Sequence, residues 1–156
     1  LTCKESAKEI IRHVSDGLAL ADKYGIPEIL QDFIRTHHGT TPAAYFLNRY
    51  LNEGGDADDV ADFYYDGMKP ATKEQVILMF CDAVEAASRS LKDYSPDNIN
   101  SLVDRILDGK IADGQLTDSE ISLKEIAVIK MTIKSYLQQM YHSRVAYPQR
   151  KERTRK

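Results

Sequence analysis

The residues of widest chemical reach are three histidines and one aspartate. His37 and His38 are adjacent, and His37 continues a stripe of Leu30, Phe33 and Ile34 at helical spacing. His13 shares a stripe with Gly17, Leu20 and Tyr24, at the edge of an earlier helix's apolar arc. Asp82 belongs to a third segment, in which Asp82, Glu85 and Arg89 recur along one stripe of an otherwise apolar helix. A buried carboxylate is costly unless it is paired or ligates a metal. Glu85 and Arg89, four residues apart, can satisfy each other. Asp82 is then left without a local partner. Imidazole and carboxylate together suit zinc, iron, manganese or a similar divalent ion. Taken singly, each histidine is more often a core or surface residue than a ligand, so a metal site and a structural ion pair both stand at this point. The histidine pair sits just before Gly39, where a helix already unwinding lets neighbouring rings reach one place.

The elements that must position these groups read almost entirely as helix. Ser6 and Glu9 have capping-box spacing, followed by Ile10, Ile11, Val14, Leu18 and Ala21 at helical intervals. Gly25 ends that helix. A second, over about residues 27–38, opens with Pro27 and is stopped by Gly39. Thr41 and Pro42 read as the cap and first position of a third, running to Gly54 and Gly55. Residues 53–70 are the least regular, an acidic run around Phe63, Tyr64 and Tyr65 that predicts a short helix and a solvated loop. Thr72 with Gln75 caps a helix predicted to about residue 92, apolar nearly all round and therefore buried. Ser95 and Pro96 open another to about Gly109, and Asp113-Gly114 is a turn. Ser122 and Glu125 cap a last long helix whose Met and Tyr positions are predicted to pack in the core, with His142 on its surface. The expected fold is all-α, an irregular array of six or seven helices in one domain.

Composition narrows the function classes. With 42% hydrophobic and 29% charged residues the chain is of ordinary globular type, neither disordered nor fibrous. No apolar run approaches the roughly 20 residues needed to cross a bilayer. Lys4, Glu5, Lys8 and Glu9 break up the first turns, unlike a secretory leader. Cys3 and Cys81 are too few for a disulfide framework and lack zinc-site spacing, so a reducing setting is expected. The net charge is −3, but residues 149–156 hold five basic side chains against Glu152, leaving the body strongly acidic. Such a body is a poor nucleic-acid binder. If it handles a phosphorylated substrate, local positive charge must come from elsewhere, and a metal ion is the obvious source. Phosphate-loop, serine-hydrolase, HExxH and EF-hand patterns are absent from the sequence.

At these residues the sequence resembles a known family. His13 in Ile10-Ile11-Arg12-His13-Val14, the run Arg35-Thr36-His37-His38-Gly39-Thr40-Thr41, Phe63-Tyr64-Tyr65-Asp66-Gly67, the run from Asp82 through Glu85 to Arg89, Asp113-Gly114-Gln115 and Tyr141-His142-Ser143-Arg144 are similar to the metal-dependent HD-domain phosphohydrolases, and within them to the membrane-anchored seven-transmembrane HD family. The resemblance implies a two-metal site, of iron or manganese, hydrolysing the cyclic dinucleotide cyclic-di-AMP by in-line attack of an activated water. It implies His13, His37, His38 and Asp82 as metal ligands. Gly39, Thr40, Thr41 and Arg89 become candidates for phosphate contacts or for groups that orient the ligands, and Glu85 for the latter. It places a parent protein at the cytoplasmic face of a bacterial inner membrane. The family's site also uses an earlier histidine and a His-Asp doublet, and this sequence contains no His-Asp dipeptide. Residues 1–148 are therefore expected to be the C-terminal part of an HD domain, with 149–156 a basic, disordered tail. Such a piece is expected to be inactive or very weakly active, to hold metal partially or not at all, and to self-associate through exposed apolar surface. An HD hydrolase of another phosphoester and a non-enzymatic helical interaction module are the competing expectations.

Overall fold

Hydroxyl and carboxyl side chains fix most of the helix starts in the computed structural model, which describes residues 1–142. The elements are α1 (Cys3–Lys23), α2 (Glu28–Thr36), α3 (Ala44–Asn52), the 3-10 helix η1 (Ala57–Phe63), α4 (Lys73–Ser88), α5 (Pro96–Ala112) and α6 (Leu123–His142). Thr72 and Gln75 close a reciprocal capping box on α4, and Ser122 and Glu125 do the same for α6. Ser95 caps α5 with Pro96 in its first turn. Among the described residues there is no strand, only an isolated antiparallel bridge between Pro42 and Tyr64. The all-α class and the helix number agree with the sequence; the basic tail lies outside the described residues.

Two starts differ. Helix α1 begins earlier, on a Thr2–Glu5 box with the same spacing as the Ser6–Glu9 pair. Helix α3 starts at Ala44 with no side-chain cap, because Thr41 and Pro42 are committed elsewhere. The Thr41 hydroxyl donates to the His38 carbonyl at 2.7 Å, and Pro42 lies in the bridge to Tyr64.

The helices pack as two sets. In the first, α1 lies against α2, α3 and η1 around Ala7, Leu47 and Phe63. In the second, α5 lies between α4 and α6 around Val76, Phe80, Val84, Ile99, Val103, Leu107 and Leu137. The α2–α4 contact joins them.

Helix α4 is not buried all round. It buries Gln75, Val76, Met79, Phe80, Val84 and Ser88, and leaves Ile77 and Leu78 exposed. It ends at Ser88, four residues short of the predicted end, where the Ser88 hydroxyl bonds the Glu85 carbonyl and the Tyr141 hydroxyl. Cys81 and Ala86 are exposed as well, so composition alone overstated its burial. Likewise Leu30 is 52% exposed, and of the Met and Tyr positions on α6 only Met140 and Tyr141 pack on the core, Met131 and Tyr136 facing outward. The acidic segment is partly tied down: Lys4 pairs with Asp59 and Asp62, and the Tyr50 hydroxyl donates to Asp59.

Candidate metal centre

Helix α1 carries Ala7, Val14 and Ala21 into the first core. That seven-residue repeat puts His13 on the shoulder beside Val14, exposed toward the end of α2. Helix α2 ends at Thr36, whose hydroxyl turns back onto the Asp32 carbonyl. His37 follows in helical conformation as the C-cap, and Gly39 then turns the chain with φ +54°. The two histidines thus leave a finished helix on consecutive residues, one still helical and one in the turn.

Three imidazoles meet there. Ring centroids are 4.1 Å apart for His37–His38, 4.9 Å for His13–His38 and 5.2 Å for His13–His37. One nitrogen from each ring lies within 4.8 Å of the others. His37 Nδ1 faces the Ile34 carbonyl at 2.8 Å and His13 Nδ1 faces the Ile10 carbonyl. A carbonyl only accepts, so both Nδ1 atoms carry a proton, and in the neutral rings both Nε2 atoms carry lone pairs. Those two Nε2 atoms stand 3.1 Å apart. Two neutral acceptors at that distance repel, and a cation between or beside them relieves the repulsion. An Nδ1–H held by a backbone carbonyl is also how ligating histidines are oriented. The donor set therefore fits a divalent ion.

The surroundings favour a neutral His38. Burial pushes His38 down to about 3, with the neighbouring His37, His13 and Lys110 adding to the effect. Asp82 Oδ2 lies 3.6 Å from His38 Nδ1, beyond hydrogen-bond range, and beside a neutral ring this is proximity rather than an ion pair. The Asp82 side chain is 42% exposed rather than buried, so solvent supplies much of what a partner would. On its other side His38 stacks on Tyr65, centroids 4.3 Å apart and planes 22° from parallel. Burial and then Asp82 raise the Tyr65 hydroxyl above its ordinary value.

The Gly39-Thr40-Thr41 turn shapes this loop. Gln115, 2% exposed, accepts from the Thr40 N–H at 3.0 Å and donates to the Thr40 hydroxyl at 3.0 Å and to Asp113 at 2.7 Å. Tyr65 N–H donates to the Thr41 carbonyl. A Cβ on Gly67 would meet the Gly39 carbonyl oxygen at 2.5 Å, so glycine is needed there for close backbone approach. Glu85 and Arg89 form a two-bond pair, 2.9 and 2.8 Å, on the exposed side of α4 beyond Asp82. His142 is exposed at the end of α6, as expected. Three groups in or beside the site had no assigned role in the sequence: Tyr65, Lys110 and Gln115. Each comes from a segment remote from the histidines, and only the Phe63–Gly67 and Asp113–Gln115 stretches flagged two of them.

No protein-family model matches the chain. It is 35% identical over 140 residues to the Bacillus subtilis cyclic-di-AMP phosphodiesterase PgpH, across 90% of this chain and 20% of that protein. It is 35% identical over 152 residues to the Listeria monocytogenes protein of the same name, across 97% of this chain and 21% of that one. The chain thus spans about a fifth of the length of these curated relatives. The crystal structure of the L. monocytogenes PgpH HD domain in complex with cyclic-di-AMP matches with a TM-score of 0.86 at 35% identity, covering 94% of this chain and 68% of that one. The chain belongs to the PgpH HD-domain family. A second crystal structure of that PgpH HD domain matches with a TM-score of 0.82 at 34% identity, covering 91% and 66%. Membership accounts for the all-α architecture. HD domains generally bind divalent metals, and among the described residues His13, His37 and His38 form a cluster that could hold one.

Proposed function

We propose that residues 1–148 are part of a metal-dependent phosphodiesterase domain that, within a longer protein, hydrolyses cyclic-di-AMP at two iron or manganese ions. The opposed Nε2 atoms of His13 and His37, 3.1 Å apart with both Nδ1 atoms turned to carbonyls, carry this reading. In the neutral rings they turn two lone pairs to one place, an arrangement that a cation completes. His13, His37 and His38 bind, and Asp82 supplies the negative charge, as a ligand or as the partner that orients His38. Divalent ions held there supply Lewis acidity toward phosphate oxygens and lower the pKa of a water. Tyr65 covers one face of His38 against solvent, and Gln115 fixes the turn on which His38 rides. Gly39, Thr40 and Thr41 act on this reading by holding the loop, and Glu85 and Arg89 by flanking Asp82.

Four candidate donors are few for two ions, so turnover requires further ligands from the longer protein, and this chain alone is inactive. Attachment to the cytoplasmic face of a membrane belongs to the same proposal; among the described residues no helix is long and apolar enough to cross one. Self-association is proposed as well, since Leu20, Tyr24, Ile29 and Leu30 are exposed around the α1–α2 turn.

The test is metal analysis and cyclic-di-AMP turnover in the full-length protein, for the wild type, His37→Ala and His38→Ala. Removal of either ring should lower Mn²⁺ affinity by about 100-fold or more and abolish turnover, since even groups one shell further out cost about 10–100-fold. An interaction module would bind no metal in any of the three, and turnover of other phosphoesters with none of cyclic-di-AMP would reassign the substrate.

A further inference from the structure

Lys110 lies on the last turns of α5, and its backbone carbonyl accepts from the Gln115 N–H at 3.1 Å. Gln115 in turn bonds Thr40, two residues from His38, and Asp113. This end of α5 is therefore locked against the histidine loop by a buried amide, and Lys110 is positioned by a rigid element. Its charge is felt at the candidate site: it disfavours a proton on His38, and the carboxylates of Asp82 and Asp113 act on it. The side chain is half-buried. Among the described residues its ammonium makes no hydrogen bond and no ion pair within 4.0 Å, whereas Lys4, Lys73, Lys130 and Lys134 are each paired with a carboxylate. A half-buried ammonium without a partner has lost much of its hydration with no hydrogen bond in exchange. Burial correspondingly lowers its proton affinity. An anion arriving at the site relieves that cost.

We propose that Lys110 is a substrate-binding residue of this site, donating a charge-assisted hydrogen bond to a phosphodiester oxygen. The proposal rests on the phosphodiesterase reading and deepens it. Lys110 answers the charge question raised by the sequence, because in a body this acidic it provides a cation on the helix end tied to the histidine loop. An ammonium rather than a guanidinium suits the place, being a compact point charge on a flexible stem. The contact forms with bound substrate, so it strengthens ground-state binding.

The experiment uses the full-length protein loaded with Mn²⁺, as wild type, Lys110→Met and Lys110→Arg. Metal content and steady-state hydrolysis of cyclic-di-AMP are measured for each. Lys110→Met should raise KM about tenfold or more with kcat within about twofold, and leave metal content unchanged. Lys110→Arg should recover most of the affinity, because it keeps the charge. Wild-type KM in Lys110→Met overturns the proposal, and so does loss of metal in that variant, which would make the lysine a support of the ligands. A wild type that holds Mn²⁺ but does not turn over cyclic-di-AMP brings down the phosphodiesterase reading and this proposal with it. An active wild type with an indifferent Lys110→Met brings down this proposal alone.

Discussion

At His38 a half-buried imidazole is surrounded by two further imidazoles and an ammonium, and each would repel a second positive charge. Its folded value near 3 lies below the ordinary 6.5. Between those values the unfolded chain binds a proton that the folded chain does not. Stability is therefore complete above pH about 6.5 and is lost as pH falls through the window toward about 3. The metal-free protein should show a melting temperature that declines from about pH 7 to about pH 4, with His38→Gln flattening the decline. A flat wild-type profile would show that His38 titrates normally. At this scale the sequence was informative wherever a residue's neighbours are local. His13, His37, His38 and Asp82 could be singled out by spacing and type, and the structure brings the three rings together with Asp82 beside them. Tyr65 and Lys110 could not, because what distinguishes them is contact or proximity with groups dozens of positions away.

At the scale of elements, caps decide which readings survive. The Thr72–Gln75 and Ser122–Glu125 boxes were legible because the other partners of these side chains, Ala71 and Lys73, leave the boxes intact. Thr41 followed by Pro42 looked like an equally good start, yet the loop's own bonding claimed both residues, and α3 begins without a cap. That loop turns on Gly39. A Cβ there would lie 2.3 Å from Gln115 Oε1 and 2.8 Å from Met79 Cε, on a backbone already in the left-handed region. Gln115 cannot swing aside without releasing the Thr40 N–H. Gly39→Ala should therefore destabilise the protein by about 2 kcal/mol or more in urea titrations, and weaken Mn²⁺ binding with it. A variant as stable as the wild type would show that the turn is freely remodelled.

Across the whole molecule, charged side chains fasten the helices at their ends and seams. Lys130 and Lys134 on α6 pair with Asp104 and Asp108 on α5, and Lys73 on α4 with Glu125 on α6. Lys73, then the Ser122 N–H and hydroxyl, hold the Glu125 carboxyl down at about 2. A depressed carboxylate stabilises the fold above its ordinary value of 4.5, and that contribution is lost as pH falls through about 2. Glu125→Gln should lower stability at neutral pH and, relative to the wild type, remove part of the acid slope below about pH 4.5, as followed by circular dichroism. Equal slopes would mean that solvent screens the pair completely. Burial at this scale was the least legible property, since an apolar side such as Ile77 and Leu78 on α4 says nothing about whether a neighbour covers it.

The division into two helix sets bears on how the histidine cluster behaves under load. His13 rides on the first set, Asp82 on the second, and His37 and His38 stand at the join. A small rotation of one set against the other would open or close these groups like the jaws of a calliper. The spacing of the cluster is therefore set by the seam between the sets and not by either set alone.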